Sequence, residues 1–170
     1  MEFMRLYDSP LGEIVLTGDD AALTGLWFRD CRPCPVGLEW GETPVLRQAE
    51  HWLDLYFRGE EPDFTPPLAL RGTAFRRTVW ELLLALPYGR TVTYGELASR
   101  TAARLGRSAM SAQAVGGAVG QNPVALIVPC HRVVGADGSL IGYAGGLDRK
   151  RRLLELEVRS SRPGDTEQQA

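Results

Sequence analysis

The stretch YGELASRTAARLGRSAMSAQAVGGAVG, from Tyr94 to Gly120, holds two short helical patterns around one turn signal. The first runs roughly from Tyr94 to Ala103, the turn is Arg104-Leu105-Gly106-Arg107, and the second runs from about Ser108 to Gly120. Two short helices joined by a glycine-containing turn fit a helix-turn-helix, a geometry that many small helical domains share. The second helix is made almost wholly of small residues. Gly116, Gly117 and Gly120 each cost about 1 kcal/mol of helix propensity against alanine, so something should compensate. Bare backbone serves either tight packing on a neighbouring helix or close approach to a groove, and on the residues alone tight packing is the favoured reading.

Upstream, Thr73 caps a helix in which Phe75, Val79, Leu82, Leu83 and Leu86 form one apolar stripe, stopped by Pro87-Tyr88-Gly89. Before it, Glu60 to Gly72 contains Pro62, Pro66 and Pro67 and marks a domain boundary. The N-terminal part reads as strands over Phe3–Asp8, Glu13–Thr17 and Ala22–Phe28. A loop-like stretch, 29–42, follows. Thr43-Pro44 then opens a helix carrying Leu46, Ala49, Trp52, Leu53, Tyr56 and Phe57, ended by Gly59. Downstream, Val124–Val128 reads as a buried strand and Asp137-Gly138 as a hairpin signal. Gly142–Gly146 reads as a flexible loop, and a basic helix runs from about Asp148 to Glu157 with Leu153, Leu154 and Leu156 apolar. The expected organisation is α+β: a small α/β domain over 1–71, a mostly helical domain over 72–158, and a polar, disordered tail over 159–170.

Charge divides the same way. Residues 1–70 hold five arginines against thirteen carboxylates, whereas 71–159 hold thirteen basic residues against six acidic ones, within a net charge of −2. Such asymmetry points to a nucleic-acid-facing C-terminal part, with unevenly charged solvated faces as the equal alternative on charge alone. At 44% hydrophobic and 24% charged residues, the chain has the composition of a globular protein and not of a disordered one. No apolar run approaches the roughly 18 residues of a membrane span, and the N-terminus lacks a secretory pattern. Three cysteines make no disulfide framework, which favours a reducing, cytoplasmic setting. Cys31-Arg-Pro-Cys34 reads first as surface-loop cysteines. A structural zinc wants four ligands and the N-terminal part adds only His51, so a redox pair or an incomplete metal site is the minor alternative.

Cys130 is the leading candidate for chemistry. A reactive thiolate needs nearby positive charge or a base, and His131 and Arg132 adjoin it while Pro129 stiffens the approach. Neighbours in an extended chain point apart, so His131 reaches the sulfur only across a turn or through a water. It would also need an orienting carboxylate, for which Glu157 is a candidate. A buried, inert cysteine ending a strand is the plain alternative.

Asn122-Pro123, five apolar residues, Pro-Cys-His-Arg-Val at 129–133, Gly-Tyr-Ala-Gly-Gly-Leu at 142–147 and Leu-Leu-Glu-Leu-Glu at 153–157 together resemble the O6-alkylguanine-DNA alkyltransferase family, from about Phe75 to Glu157. The resemblance implies a ribonuclease H-like N-terminal domain and a winged-helix-like C-terminal domain. It implies direct-reversal repair, with single-use transfer of an alkyl group from O6 of guanine to Cys130, and leaves O4 of thymine open as a second donor. Residue by residue, it makes Cys130 the alkyl acceptor, His131 its base through a water, and Glu157 the group orienting His131. Asn122 ties the helix-turn-helix to the active turn. Tyr94 crowds the 3′ phosphate, helps rotate the nucleotide out and serves as a proton donor to the guanine N3. Val133 and Ala144 present backbone groups to the flipped base, Tyr143 lines its pocket, and Arg132 and Lys150 lie by the substrate. The second helix, with Gln113, Ala114 and Gly116, enters the minor groove, which gives its small residues a purpose. Where the family places an intercalating arginine this chain has Gln113. The implied partner is double-stranded DNA bearing an alkylated guanine, taken up by a monomer without a cofactor, a metal or a membrane. A lesion-binding module without transfer and a cysteine hydrolase are the rivals. Cys130 argues against the first, and the basic helix-turn-helix against the second.

Overall fold

A computed structural model of the chain describes residues 1–161. It divides into two compact units, Met1–Arg71 with Pro123–Ala125, and Gly72–Asn122 with the chain from Leu126 onward.

The first unit is a sheet with one helix on it. Strands β1 (Phe3–Ser9), β2 (Gly12–Gly18), β3 (Leu23–Phe28) and β4 (Glu39–Trp40) lie in the order β3-β2-β1-β4. β1 and β2 meet through a tight turn in which Ser9 faces Gly12. The Ser9 hydroxyl accepts from the Leu11 amide and donates to the Gly12 carbonyl, closing that turn. β4 pairs parallel to β1 and falls inside the stretch read as loop, because a two-residue strand leaves no periodicity to read. Helix α1 (Pro44–Phe57) starts as its sequence predicts: the Thr43 hydroxyl accepts from the Leu46 amide, and Pro44 occupies the first turn. Its buried face, Val45, Leu46, Ala49, Trp52, Leu53 and Tyr56, packs on β1, β2 and β3. Ile14, Val15 and Leu16 are all fully buried, so β2 is covered on both faces. The proline-rich stretch is more than a linker, since Leu68 bridges Leu23.

The second unit begins with α2 (Ala74–Leu84), capped by Thr73. Its fully buried residues are Val79, Trp80 and Leu83, while Phe75 and Leu82 are half-buried. Then come β5 (Val92–Thr93), α3 (Tyr94–Leu105) and α4 (Ala112–Gly120). Gly106 ends α3 in the left-handed conformation at φ 68°. α4 starts four residues later than the sequence suggested. Ser111 has extended backbone and its hydroxyl accepts from the Ala114 amide, so it caps the helix and excludes 108–111 from it. α2, α3 and α4 pack on one another.

Val124–Val128 is not a strand. Val124 bridges Leu26, the Ala125 amide donates to the Leu26 carbonyl, and the chain then turns at Leu126 with φ 69°. Five buried apolar residues carry no period that separates a strand from a buried turn. Cys130–Arg132 form one turn of 3₁₀ helix leading into β6 (Val133–Val134). β6 pairs parallel with β5, so the turn at Asp137-Gly138, closed by the Gly135 amide on the Ser139 carbonyl, joins no hairpin. The last helix, α5, spans Leu147–Ser161 and so continues through 159–161, which the sequence assigned to the tail. The remainder of that predicted tail lies outside the described residues. Among the described residues no helix is long and apolar enough to cross a membrane.

Candidate active site

The site is built around the turn that delivers Cys130. Pro129 has φ −81° and ψ 66° and the Cys130 amide donates to the Val128 carbonyl, an inverse γ-turn. Asn122 Nδ2 donates to the same carbonyl at 2.8 Å, and the Asn122 side chain also hydrogen-bonds the thiol of Cys130. Asn122, two residues past the end of α4, therefore holds the active turn at two points. Cys130 is 5% exposed.

The 3₁₀ turn then carries His131 and Arg132 inward together. His131 Nε2 lies 2.5 Å from Glu157 Oε2, and Arg132 Nε donates to Glu157 Oε1 at 2.8 Å. The Gly89 amide also donates to Oε1, and Arg132 Nη1 reaches the Leu86 carbonyl. One buried carboxylate thus gathers the 3₁₀ turn, α5 and the Pro87-Tyr88-Gly89 turn. Arg132, expected beside the substrate, is instead turned into the interior as the counter-charge of Glu157.

Electrostatics follow from this arrangement. Burial alone would raise the Glu157 pKa, but the hydrogen bonds and charges of His131 and Arg132 overcome it and hold the carboxyl down to about 2. Burial pushes the His131 imidazole down despite Glu157, and Arg132 adds to that depression. A neutral imidazole beside an ionised, already neutralised carboxylate can accept a proton. Burial pushes the Cys130 thiol up, while Asn122 and the charge of Lys150 pull it back. The resting sulfur is therefore a protected thiol that needs a base, and not a standing thiolate.

The wall of the site comes from α3, α5 and the loop between β6 and α5. Tyr94, first residue of α3, follows β5 directly, and burial, with the nearness of Cys130 adding to it, raises its hydroxyl pKa. The Tyr94 hydroxyl donates to the Ile141 carbonyl at 3.1 Å and the Gly142 carbonyl at 3.3 Å. Lys150 Nζ donates to the same two carbonyls at 2.8 and 3.0 Å. It is fully buried, and desolvation lowers its pKa to about 8. Tyr143, next in that loop, sets its ring edge-on to His131 at 6.5 Å.

Of the residues singled out from sequence, Cys130, His131, Glu157, Asn122, Tyr94, Tyr143, Arg132 and Lys150 converge here. Val133 is buried in β6 and its amide donates to the Cys130 carbonyl. Ala144 is exposed in the loop after Tyr143. Gln113 and Ala114 stand on the exposed first turn of α4, and Gly116 faces the Tyr94 ring. Sequence reasoning missed the Gly89 amide, read there only as part of a helix stop, and the Leu86 carbonyl, read there only as the end of an apolar stripe. Cys31 is exposed, Cys34 half-buried, and neither forms a disulfide. Among the described residues no group of three or more His, Cys, Asp or Glu side chains is placed to hold a metal ion.

Both units match family models. Residues 3–70 match the ribonuclease-like domain of 6-O-methylguanine DNA methyltransferase, and residues 74–159 match its DNA binding domain. A methylated-DNA–protein-cysteine methyltransferase of Mycobacterium tuberculosis is 46% identical over 95% of this chain and 94% of its own length. One from the archaeon Methanosarcina acetivorans is 42% identical over 91% and 97%. The crystal structure of Mycobacterium tuberculosis OGT in complex with DNA superposes with a TM-score of 0.83 at 42% identity, covering 95% of this chain and 96% of that one. The O6-methylguanine-DNA methyltransferase of Pyrococcus kodakaraensis superposes with a TM-score of 0.65 at 26% identity, covering 92% and 99%. Matched in both units and nearly end to end by such relatives, the chain belongs to the 6-O-methylguanine DNA methyltransferase family.

Proposed function

We propose that this chain repairs alkylated DNA by direct reversal, moving an alkyl group from O6 of guanine in duplex DNA onto Cys130. The observation that carries the reading is the buried thiol of Cys130, held by Asn122 beside the His131–Glu157 pair. α3 and α4 act as a helix-turn-helix with α4 in the minor groove, where its exposed first turn presents Gln113 and Ala114. The damaged nucleotide is rotated out, because the alkyl carbon is inaccessible inside the stack. It enters against Tyr94, Tyr143, Lys150 and the backbone of Val133 and Ala144.

The thiol proton passes through a water to His131 Nδ1, since Nε2 is committed to Glu157. The thiolate pair attacks the alkyl carbon, the carbon–O6 bond breaks with its electrons to the purine, and the leaving base takes a proton at N3 from Tyr94. The proton held on His131 returns through solvent to the Tyr94 oxygen, and the base exchanges its N3 proton for one at N1 with water. The product is restored guanine and a thioether on Cys130. A thioether offers water no electrophilic carbonyl, so each molecule acts once and needs no cofactor. O4 of thymine presents the same alkyl carbon on oxygen and is the second donor under this reading.

Gln113 stands where the family has arginine. It can hydrogen-bond the orphaned base but brings no charge, so Gln113→Arg should tighten duplex binding or speed repair. Unchanged affinity and rate would sink that idea. The main reading is tested by titrating the protein against duplex DNA carrying a labelled O6-methyl group. Label should appear on protein at no more than one per chain. Label released to solvent with turnover would mark a hydrolase, and binding without transfer a lesion-recognition protein.

A further inference from the structure

Resting on that reading, we propose that Trp80 is the positioning residue that fixes the small-residue helix α4 for DNA. α4 spans Ala112–Gly120 and packs on α2 and α3 through three buried side chains of modest size, Val115, Ala118 and Val119. Trp80, on α2 and 1% exposed, donates its indole Nε1–H to the Ala118 carbonyl at 2.8 Å. The same carbonyl accepts from the Gln121 amide as α4 ends. The indole therefore anchors the helix by its backbone, which a helix with few side chains still offers. Gly72 is part of the fit, since a Cβ there would come within 2.6 Å of the Trp80 ring. One turn beyond the anchored carbonyl is Asn122, which holds the Cys130 turn. The anchor thus fixes the DNA helix next to the turn that Asn122 holds, and offsets part of what three glycines in a nine-residue helix cost.

Trp80→Phe keeps a buried aromatic ring and removes the donor. The expected result is an apparent affinity for alkylated duplex weakened about five- to tenfold, the worth of one buried hydrogen bond. The rate at which free O6-methylguanine base alkylates Cys130 stays as in the wild type, because Asn122 keeps its own hydrogen bonds to the Cys130 turn and the free base does not touch α4. Equal loss with both substrates, or no change with either, overturns the proposal. Should the variant not fold, the Trp80 indole proton of the native protein is followed by NMR with and without unmodified duplex. Slow solvent exchange in both states is expected, and rapid exchange in the free protein overturns the anchor. A wild type that accepts no alkyl group from either substrate would defeat the proposed function instead, and the indole measurement would still decide the anchor.

Discussion

Glu157 is the residue on which the site turns, because three donors share its two oxygens: His131 Nε2, Arg132 Nε and the Gly89 amide. Replacing Arg132 by Met would leave a buried carboxylate without its permanent cation and the Leu86 carbonyl without a donor. Denaturation of Arg132→Met should show a loss of about 3–5 kcal/mol, the usual cost of breaking a buried ion pair from one side. The pH dependence has a fixed sign. Glu157 sits near 2 against an ordinary 4.5, so the stability it contributes is present above 4.5 and is lost as pH falls towards 2. His131 lies below its ordinary 6.5, so acid favours the unfolded chain from that pH downward as well. Thermal melts should therefore fall progressively on the acid side of pH 6.5, and Glu157→Gln should flatten the limb below 4.5. Cys130, His131 and Glu157 were legible as types in a motif. The part played by Arg132 was not, because alternation along an extended chain sends neighbours apart, whereas a 3₁₀ turn carries both onto one carboxylate.

Two elements depart from the usual make-up of a helix, one in its glycines and one in its buried charges, and each departure has a use. Gly117 of α4 is exposed, and a Cβ there would meet nothing within 4 Å. Gly117→Ala should raise stability by about 1 kcal/mol. Gly117→Leu should keep the fold yet weaken duplex binding, since bulk on that face cannot enter a minor groove. Paired melts and DNA titrations of the two variants check both signs. α5 buries Lys150, Leu153 and Glu157 along one face, so two of its three innermost side chains are charged. A reading by leucines picked Leu153, Leu154 and Leu156, because nothing local says that a lysine and a glutamate are wanted inside. Lys150 and Tyr94 back each other on the Ile141 and Gly142 carbonyls. Lys150→Met should therefore speed hydrogen exchange over 141–146 and slow repair. Tyr94→Phe, with Lys150 still in place, should cost about 1 kcal/mol of stability or less.

Across the whole molecule, charge separates as the chain does, with thirteen carboxylates in residues 1–70 and thirteen basic residues in 71–159. Phosphate contact by the basic part should make duplex affinity fall by orders of magnitude between about 50 and 200 mM salt if six or more phosphates are engaged. Alkylation by the free base should be nearly indifferent to the same change. The main strands and most helices were legible because they rest on local signals such as Thr43-Pro44, Thr73 and Gly106, whereas the Ser111 cap that starts α4 was passed over. Pro123–Ala125 joining the first unit was not, because its reason is a long-range pairing with Leu26. The central claim, that Cys130 itself receives the alkyl group, is tested most directly by the intact mass of the protein after mixing with excess duplex containing one O6-methylguanine. The account predicts a gain of one methylene per chain, mapped to the peptide bearing Cys130 and absent from Cys130→Ala. An unchanged mass, or a gain that persists in Cys130→Ala, would contradict it.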